Sequence, residues 1–295
     1  RTAGNPLFAI SLVRDWVERG ALRAGPGGFR LGERVPAELP ADLGRMWKDR
    51  VLRVLSDRPA ADGHALELAA CLGLQVDDVE WSSALAEAGL APPYALLEQL
   101  MRQALVVPLD GGWAFVHGML REAVMHGAES GRRLAGHHLA CAAMLKRSSR
   151  RQDQGRMAQH LIGAGRQEEA IDPMIQQATF MVNNAPHDAI IAVAQRALDL
   201  LGLMEVPPSD ARWGRAWLAL AWVERDRGDL GASRGWLSRV ETAAEIHGWV
   251  RERMCALAER AEATRREDLA EAFALHQRVL AVADGVLFVD GMKIY

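Results

Sequence analysis

Long apolar runs are missing from this 295-residue chain. No stretch approaches the roughly 20 residues that a bilayer-crossing helix needs, and the N-terminus lacks the charged-then-apolar layout of a secretory signal. Cysteine is scarce. Cys71, Cys141 and Cys255 are odd in number and far apart, which excludes a disulfide framework and makes a reducing cytoplasm the expected setting. Neither sign of charge dominates: 35 Lys and Arg stand against 38 Asp and Glu, a net −3. That balance supplies no global attraction to nucleic acid or to an acidic membrane. The motifs of nucleotide chemistry are absent too. There is no Gly-x-x-x-x-Gly-Lys-Ser/Thr loop, no dinucleotide fingerprint after a strand, no kinase signature and no nucleophile elbow. The nearest candidate, Gly25-Pro26-Gly27-Gly28, lacks the lysine and the following helix and reads as a turn. Paired carboxylates such as Asp77-Asp78 and Glu168-Glu169 fall on polar helix faces or caps, so no catalysis is expected from this segment.

What is present is helical periodicity. Leu7, Phe8, Ile10, Leu12, Val13, Trp16, Val17 and Leu22 give one apolar face to a helix over 6–22, which Gly20 closes. Phe29 to Leu31 follows as a short strand, and Pro36 and Pro40 punctuate a linker. Helices are then expected over 42–56, 61–72, 77–87 and 93–104, the last opening on proline. The period changes at Leu105. Leu105–Leu109, Asp110-Gly111-Gly112 and Trp113–Val116 spell a β-hairpin. Several helices followed by one small hairpin are the layout of a winged-helix domain, and helices over 119–127 and 132–145 complete it.

Residues 146–155 (KRSSRRQDQG) form the most polar, basic stretch, expected as a solvated tether and domain boundary. Helix pairs follow. Residues 157–164 and 167–182 flank Gly165-Arg166, 213–227 and 232–247 flank Gly228-Asp229-Leu230, and 249–265 with 267–283 form a weaker copy. Trp217, Leu220 and Ala221 before the glycine turn, with Ser233, Leu237 and Val240 after it, are similar to the tetratricopeptide pattern, whose small residues let paired helices approach closely. Such units stack as a solenoid. The closing residues 286–291 do not fit the pattern.

Nine Trp against two Tyr and six Phe is an unusual aromatic balance. Trp47, Trp213, Trp217, Trp222, Trp236 and Trp249 are expected mainly as knobs between helices, an aromatic-lined groove being the alternative. His137, His138 and Cys141 share a helix at ligand spacing. Without a second cluster they read as a buried helix face rather than a metal site.

Two segments resemble the STAND class of signalling ATPases, in which an ATPase core is followed by a winged helix and a repeat sensor. Gly4-Asn5-Pro6-Leu7-Phe8, running into the first helix, is similar to the Gly-x-Pro motif that opens the lid region. Phe115-Val116-His117-Gly118 resembles the winged-helix Met-His-Asp motif, with Val116 for the methionine and Gly118 for the aspartate. The resemblance implies that Pro6 lies against the adenine ring and that His117 reaches the β-phosphate of ADP. Gly4–Leu22, Trp113–Glu122 and His137–Leu145 also look like the ATPase-plus-repeat regions attached to bacterial serine/threonine protein kinases.

The expectation is therefore a mainly α chain: a winged-helix domain with one small β-hairpin, followed by an α-solenoid of tetratricopeptide-like helix pairs. Residues 1–35 would be a lid-helix remnant, 36–146 the winged helix and 147–295 the repeats. Beginning at Arg1 in mid-motif, the chain reads as a fragment, a regulatory segment of a larger ATP-binding signalling protein. ATP or ADP would bind only with an ATPase core, and Pro6 and His117 are the candidate nucleotide contacts. The repeats would hold a protein or peptide partner. No direct nucleic-acid binding and no membrane association are expected. The alternatives are a repeat scaffold with no nucleotide role, and a winged-helix DNA reader. The second is disfavoured because residues 93–104 offer one Arg against one Glu and the hairpin tip carries Asp110.

Overall fold

The computed structural model describes residues 13, 16–17, 22–25, 28–31, 43–148, 150–182, 184–265 and 268–290. Pro6 and most of the first expected helix lie outside them, although Val13, Trp16 and Val17 are helical. Leu22, expected at that helix's end, instead opens strand β1 (Leu22–Gly25), which pairs antiparallel with β2 (Gly28–Leu31). The chain divides into two compact units, Arg1–Cys141 and Ala142–Tyr295.

In the first unit, α1 (Leu43–Leu55) buries Trp47, Val51 and Val54 at helical spacing. Helix α2 (Ala60–Leu72) is different: every residue from Ala65 to Cys71 is buried. A helix surrounded on all sides needs small and aliphatic side chains throughout, which is why this segment is Ala/Leu-rich instead of amphipathic. Strand β3 (Gln75–Asp77) leads directly into α3 (Asp78–Glu87). The Asp77 carboxylate accepts from the Val79 and Glu80 amides, 2.9 Å each, and so caps the helix. Helix α4 (Tyr94–Arg102) buries Leu96 and Leu100. It is tied down by Arg58, whose guanidinium donates to Ala95 O at 2.8 Å and Gln99 Oε1 at 2.7 Å. Strands β4 (Val106–Leu109) and β5 (Gly112–Phe115) form the hairpin, and α5 (Gly118–Ser130) and α6 (Leu134–Ser148) follow.

The sheet is three-stranded, in the order β3-β5-β4, all antiparallel. The sequence of elements α2-β3-α3-α4-β4-β5 is that of a winged helix, with β4–β5 as the wing. The hairpin expected from sequence is therefore two strands of a three-stranded sheet. Gly111 and Gly112, which read together as a turn, have separate roles. Gly111 takes φ +74°, the left-handed conformation, while a Cβ on Gly112 would overlap the Val76 carbonyl oxygen of β3. Trp113 then sits 1% exposed, edge-on to Trp81 (5.3 Å between centroids) and to Phe115 (5.1 Å). Such pairs add about 0.5–1.5 kcal/mol each beyond their buried area. Trp81 Nε1 donates to Ala65 O at 3.0 Å, so its polar tip is satisfied inside the core.

Among the described residues the second unit takes in the end of α6, a 3₁₀ turn (Arg151–Asp153) and seven helices: α7 (Gln154–Gly163), α8 (Gln167–Met181), α9 (His187–Leu203), α10 (Arg212–Arg227), α11 (Leu230–His247), α12 (Val250–Thr264) and α13 (Leu269–Asp290). The basic stretch 146–155 is thus a helix end and a turn more than an open tether. Asp153 is buried within it and accepts from Ser148 Oγ at 2.9 Å. Helix α9 lacks a flanking glycine turn of the kind that marked the other pairs, and sequence reading passed over it. Helix α13 runs on to Asp290, so most of the segment 286–291, which does not fit the repeat pattern in sequence, continues the last helix.

Consecutive helices pack on each other, and α10 also touches α8 and α12. Left-handed glycines terminate α10 (Gly228, φ 89°) and α11 (Gly248, φ 73°), reversing the chain in two residues. Alanines 194, 197, 216, 219, 244 and 256 are essentially fully buried and let the helices approach. Trp213, Trp217 and Trp249 form the expected knobs, with centroids 6.1 and 6.2 Å apart. The Trp249 ring lies where a Cβ on Gly214 would sit, 2.9 Å from Cε3, and its Nε1 donates to Ser209 O at 2.7 Å. The chain is an α-solenoid of tetratricopeptide-like pairs joined to a winged helix, as the periodicity implied.

Candidate functional site

His117 is the residue before α5, at the exit of β5, with extended backbone (φ −141°, ψ 142°). Its carbonyl accepts the first α5 amides, from Leu120 at 3.1 Å and Arg121 at 3.3 Å, but its imidazole makes no capping hydrogen bond. The half-buried ring instead rests 5.6 Å from the Trp47 ring. Trp47 is 3% exposed, and its indole N–H has no hydrogen-bond partner among the described residues. The Arg50 guanidinium stands 5.2 Å over the same indole and donates to Gln103 O at 3.2 Å. An imidazole, an unsatisfied indole donor and a buried guanidinium therefore gather beside a helix N-terminus, a combination suited to an anion. A Cβ on Gly118 would meet nothing within 4 Å, so the glycine standing where the resemblance has an aspartate is not imposed by space. Pro6, the other nucleotide candidate, lies outside the described residues.

The His137–His138–Cys141 face is occupied by a network that sequence reading missed. Glu67, buried in α2, accepts from Arg133 Nη2 at 2.6 Å and Nε at 2.8 Å, and its other interaction is with His137 Nε2 at 3.0 Å. Burial alone would raise the Glu67 pKa. The Arg133 and His137 hydrogen bonds and charges outweigh it and bring the carboxyl down to about 2. Burial pushes the Cys71 thiol up to about 12, which makes it inert as a nucleophile. His138 is lowered by burial first, then by His137 and Arg121. Among the described residues no group of three or more His, Cys, Asp or Glu could hold a metal. One signal was available in the sequence: Glu67 is a lone acid in Ala65-Leu66-Glu67-Leu68-Ala69-Ala70, an apolar run on an apolar helix.

In the second unit a groove of about 450 Å³ runs along α8, α10 and α12, with α10 in contact with the other two. Ile175, Leu218 and Trp222 supply apolar wall, and Arg151, Arg215 and Arg251 bring cations to it. Trp222 is thus the one tryptophan of the expected set that lines this groove, while Trp213, Trp217 and Trp249 pack as knobs.

Among solved structures, the chain is similar to a Signal Transduction ATPase with Numerous Domains (STAND) protein with a tetratricopeptide repeat sensor from Pyrococcus horikoshii. The sequences are 14% identical, the TM-score is 0.53, and the match covers 83% of this chain and 41% of that one. The likeness is one of fold, and the chain spans about two-fifths of that structure's length. No family model matches the chain, and no curated protein does. The expected order of a winged helix followed by helix pairs thus has a counterpart in three dimensions. No helix among the described residues is long and apolar enough to cross a membrane.

Proposed function

We propose that the chain is the regulatory segment of a multidomain STAND-type ATP-binding signalling protein. The winged helix reads the nucleotide state through His117, and the repeats receive a protein or peptide partner. The observation that carries the first half is the His117 cluster: an imidazole with no capping bond beside an unsatisfied Trp47 N–H and the Arg50 guanidinium. An imidazole N–H donates well to a phosphate oxygen. It separates diphosphate from triphosphate when the domain exchanges between two arrangements that the ligand biases. The nucleotide itself, ATP or ADP, is held mainly by an ATPase core adjoining this segment in a cytoplasmic protein.

The test uses the protein with its ATPase core. His117→Ala is expected to lower retention of ADP through purification about tenfold or more, as befits loss of a hydrogen bond to a charged group. Retention equal to wild type would refute the reading. A DNA-reading role finds little support. Glu98 and Arg102, the ion pair on the exposed face of α4, lie 3.7 Å apart and leave that helix no net charge for phosphates.

A further inference from the structure

We infer that the groove along α8, α10 and α12 seats an acidic peptide segment, one that presents a Glu or Asp side chain next to an apolar one. The inference deepens the partner-binding half of the proposed function and rests on it. Three properties of the groove select this occupant. Its volume of about 450 Å³ suits a few side chains, and Ile175, Leu218 and Trp222 offer an aliphatic or aromatic residue an apolar seat.

Its unsatisfied polar atoms specify the rest. Trp222 and Arg215 line the groove, and their Nε1 and Nε have no hydrogen-bond partner among the described residues; both can only donate, so an occupant that reaches them brings acceptors. Gln154 Oε1 is also without a partner among the described residues and takes a donor, which a bare carboxylate lacks and a peptide N–H provides. Acceptors, a donor and an apolar side chain together describe a peptide better than a small anion.

Charge decides the sign. Arg151, Arg215 and Arg251 face one lining carboxylate, Glu252, so the lining is +2 (three minus one) on a chain whose net charge is −3. Arg215 is engaged, with Nη1 2.8 Å from Asp172 Oδ1 and Nε 4.0 Å from Glu252 Oε1. Arg151 and Arg251 are exposed and have no ion pair among the described residues. A cationic or neutral segment would leave those rim charges uncompensated, whereas an acidic one is drawn in.

The test is fluorescence anisotropy on the whole chain. The probe is a short fluorescein-labelled peptide of Glu, Leu and Ala, compared with counterparts carrying Gln or Lys at every Glu position. The Glu peptide should bind, the Gln peptide about tenfold more weakly and the Lys peptide not measurably. Arg251→Glu, at an exposed position that leaves the fold intact, should weaken the Glu peptide about tenfold. Arg196→Glu on the exposed part of α9 should leave it unchanged. Cys255 supplies an independent readout, because it lines the groove half-buried while Cys71 and Cys141 are buried. Its alkylation by iodoacetamide should slow when the Glu peptide is present. Equal binding of the Glu and Gln peptides, an unaffected Arg251→Glu, unprotected Cys255, or no binding of any peptide would each overturn the inference. His117→Ala should not alter peptide affinity. Normal peptide binding with unchanged nucleotide retention in that variant would therefore remove the nucleotide reading alone, and the converse result would remove the groove alone.

Discussion

Both units bury a glutamate on an arginine, yet the two pairs join very different stretches of chain. In the winged helix Glu67 binds Arg133, 66 residues away, and draws in His137, so one carboxylate ties α2 to α6 across the whole unit. In the repeats Glu241 accepts two bonds from Arg260, at 2.8 and 3.0 Å, only 19 residues on, and the link joins α11 to its immediate neighbour α12. Arg225–Glu259 likewise connects elements close in the stack. The same chemistry is therefore expected to make the first unit cooperative and leave the second additive, since a solenoid's stability is a sum over nearest neighbours. Stacked repeats can loosen locally. A unit tied end to end through one carboxylate cannot.

Glu67→Ala should have the largest effect. It leaves Arg133 and His137 without their shared acceptor and should destabilise the first unit as a whole by about 3 kcal/mol. Calorimetry should show its transition moving down intact while the repeat transition stays. If the transition only broadens, the winged helix is not the single cooperative block described. The pH dependence should follow the carboxyl. Because Glu67 is lowered in the folded state from an ordinary 4.5 to about 2, its contribution is complete above 4.5 and disappears as pH falls toward 2. The gap in urea midpoint between wild type and Glu67→Ala should narrow over that interval.

Gly112→Ala comes next, at about 2 kcal/mol, because the methyl group displaces β3 from β5. Hydrogen exchange should show the Val76 region deprotected. Glu241→Ala should lose about 1–2 kcal/mol, but locally. Exchange should rise in α11, α12 and α13 while α8 and α9 keep their protection, and uniform loss would show the solenoid to be as cooperative as its neighbour. Gly118→Asp should be the smallest change and a gain. The side chain enters open space in the first turn of α5, where an acid adds about 0.3–1 kcal/mol, measurable as a higher melting temperature.

Much of this architecture was legible in the residues. Helices expected over 61–72 and 213–227 are found at Ala60–Leu72 and Arg212–Arg227, since apolar periodicity and glycine stops are local signals. The wing was announced by the change of period at Leu105. Strand β3 was not, because three residues between two helices carry no alternation and acquire their strand character only by pairing with β5. Of the candidate site, His117 was identifiable, whereas Trp47 and Arg50 lie some 70 residues earlier, and nothing local links them to it.

The sequence by itself determined most of the helices, their glycine stops, the hairpin and the order of winged helix before repeats, all properties of a few neighbouring residues. Tertiary structure alone decided what the buried polar groups do. It sent the Glu67 carboxylate to Arg133, left the Trp47 and Trp222 indoles without acceptors among the described residues, and collected Arg151, Arg215 and Arg251 around one groove. A hydrogen bond or a cavity belongs to residues that folding brings together, and their separation along the chain does not encode it.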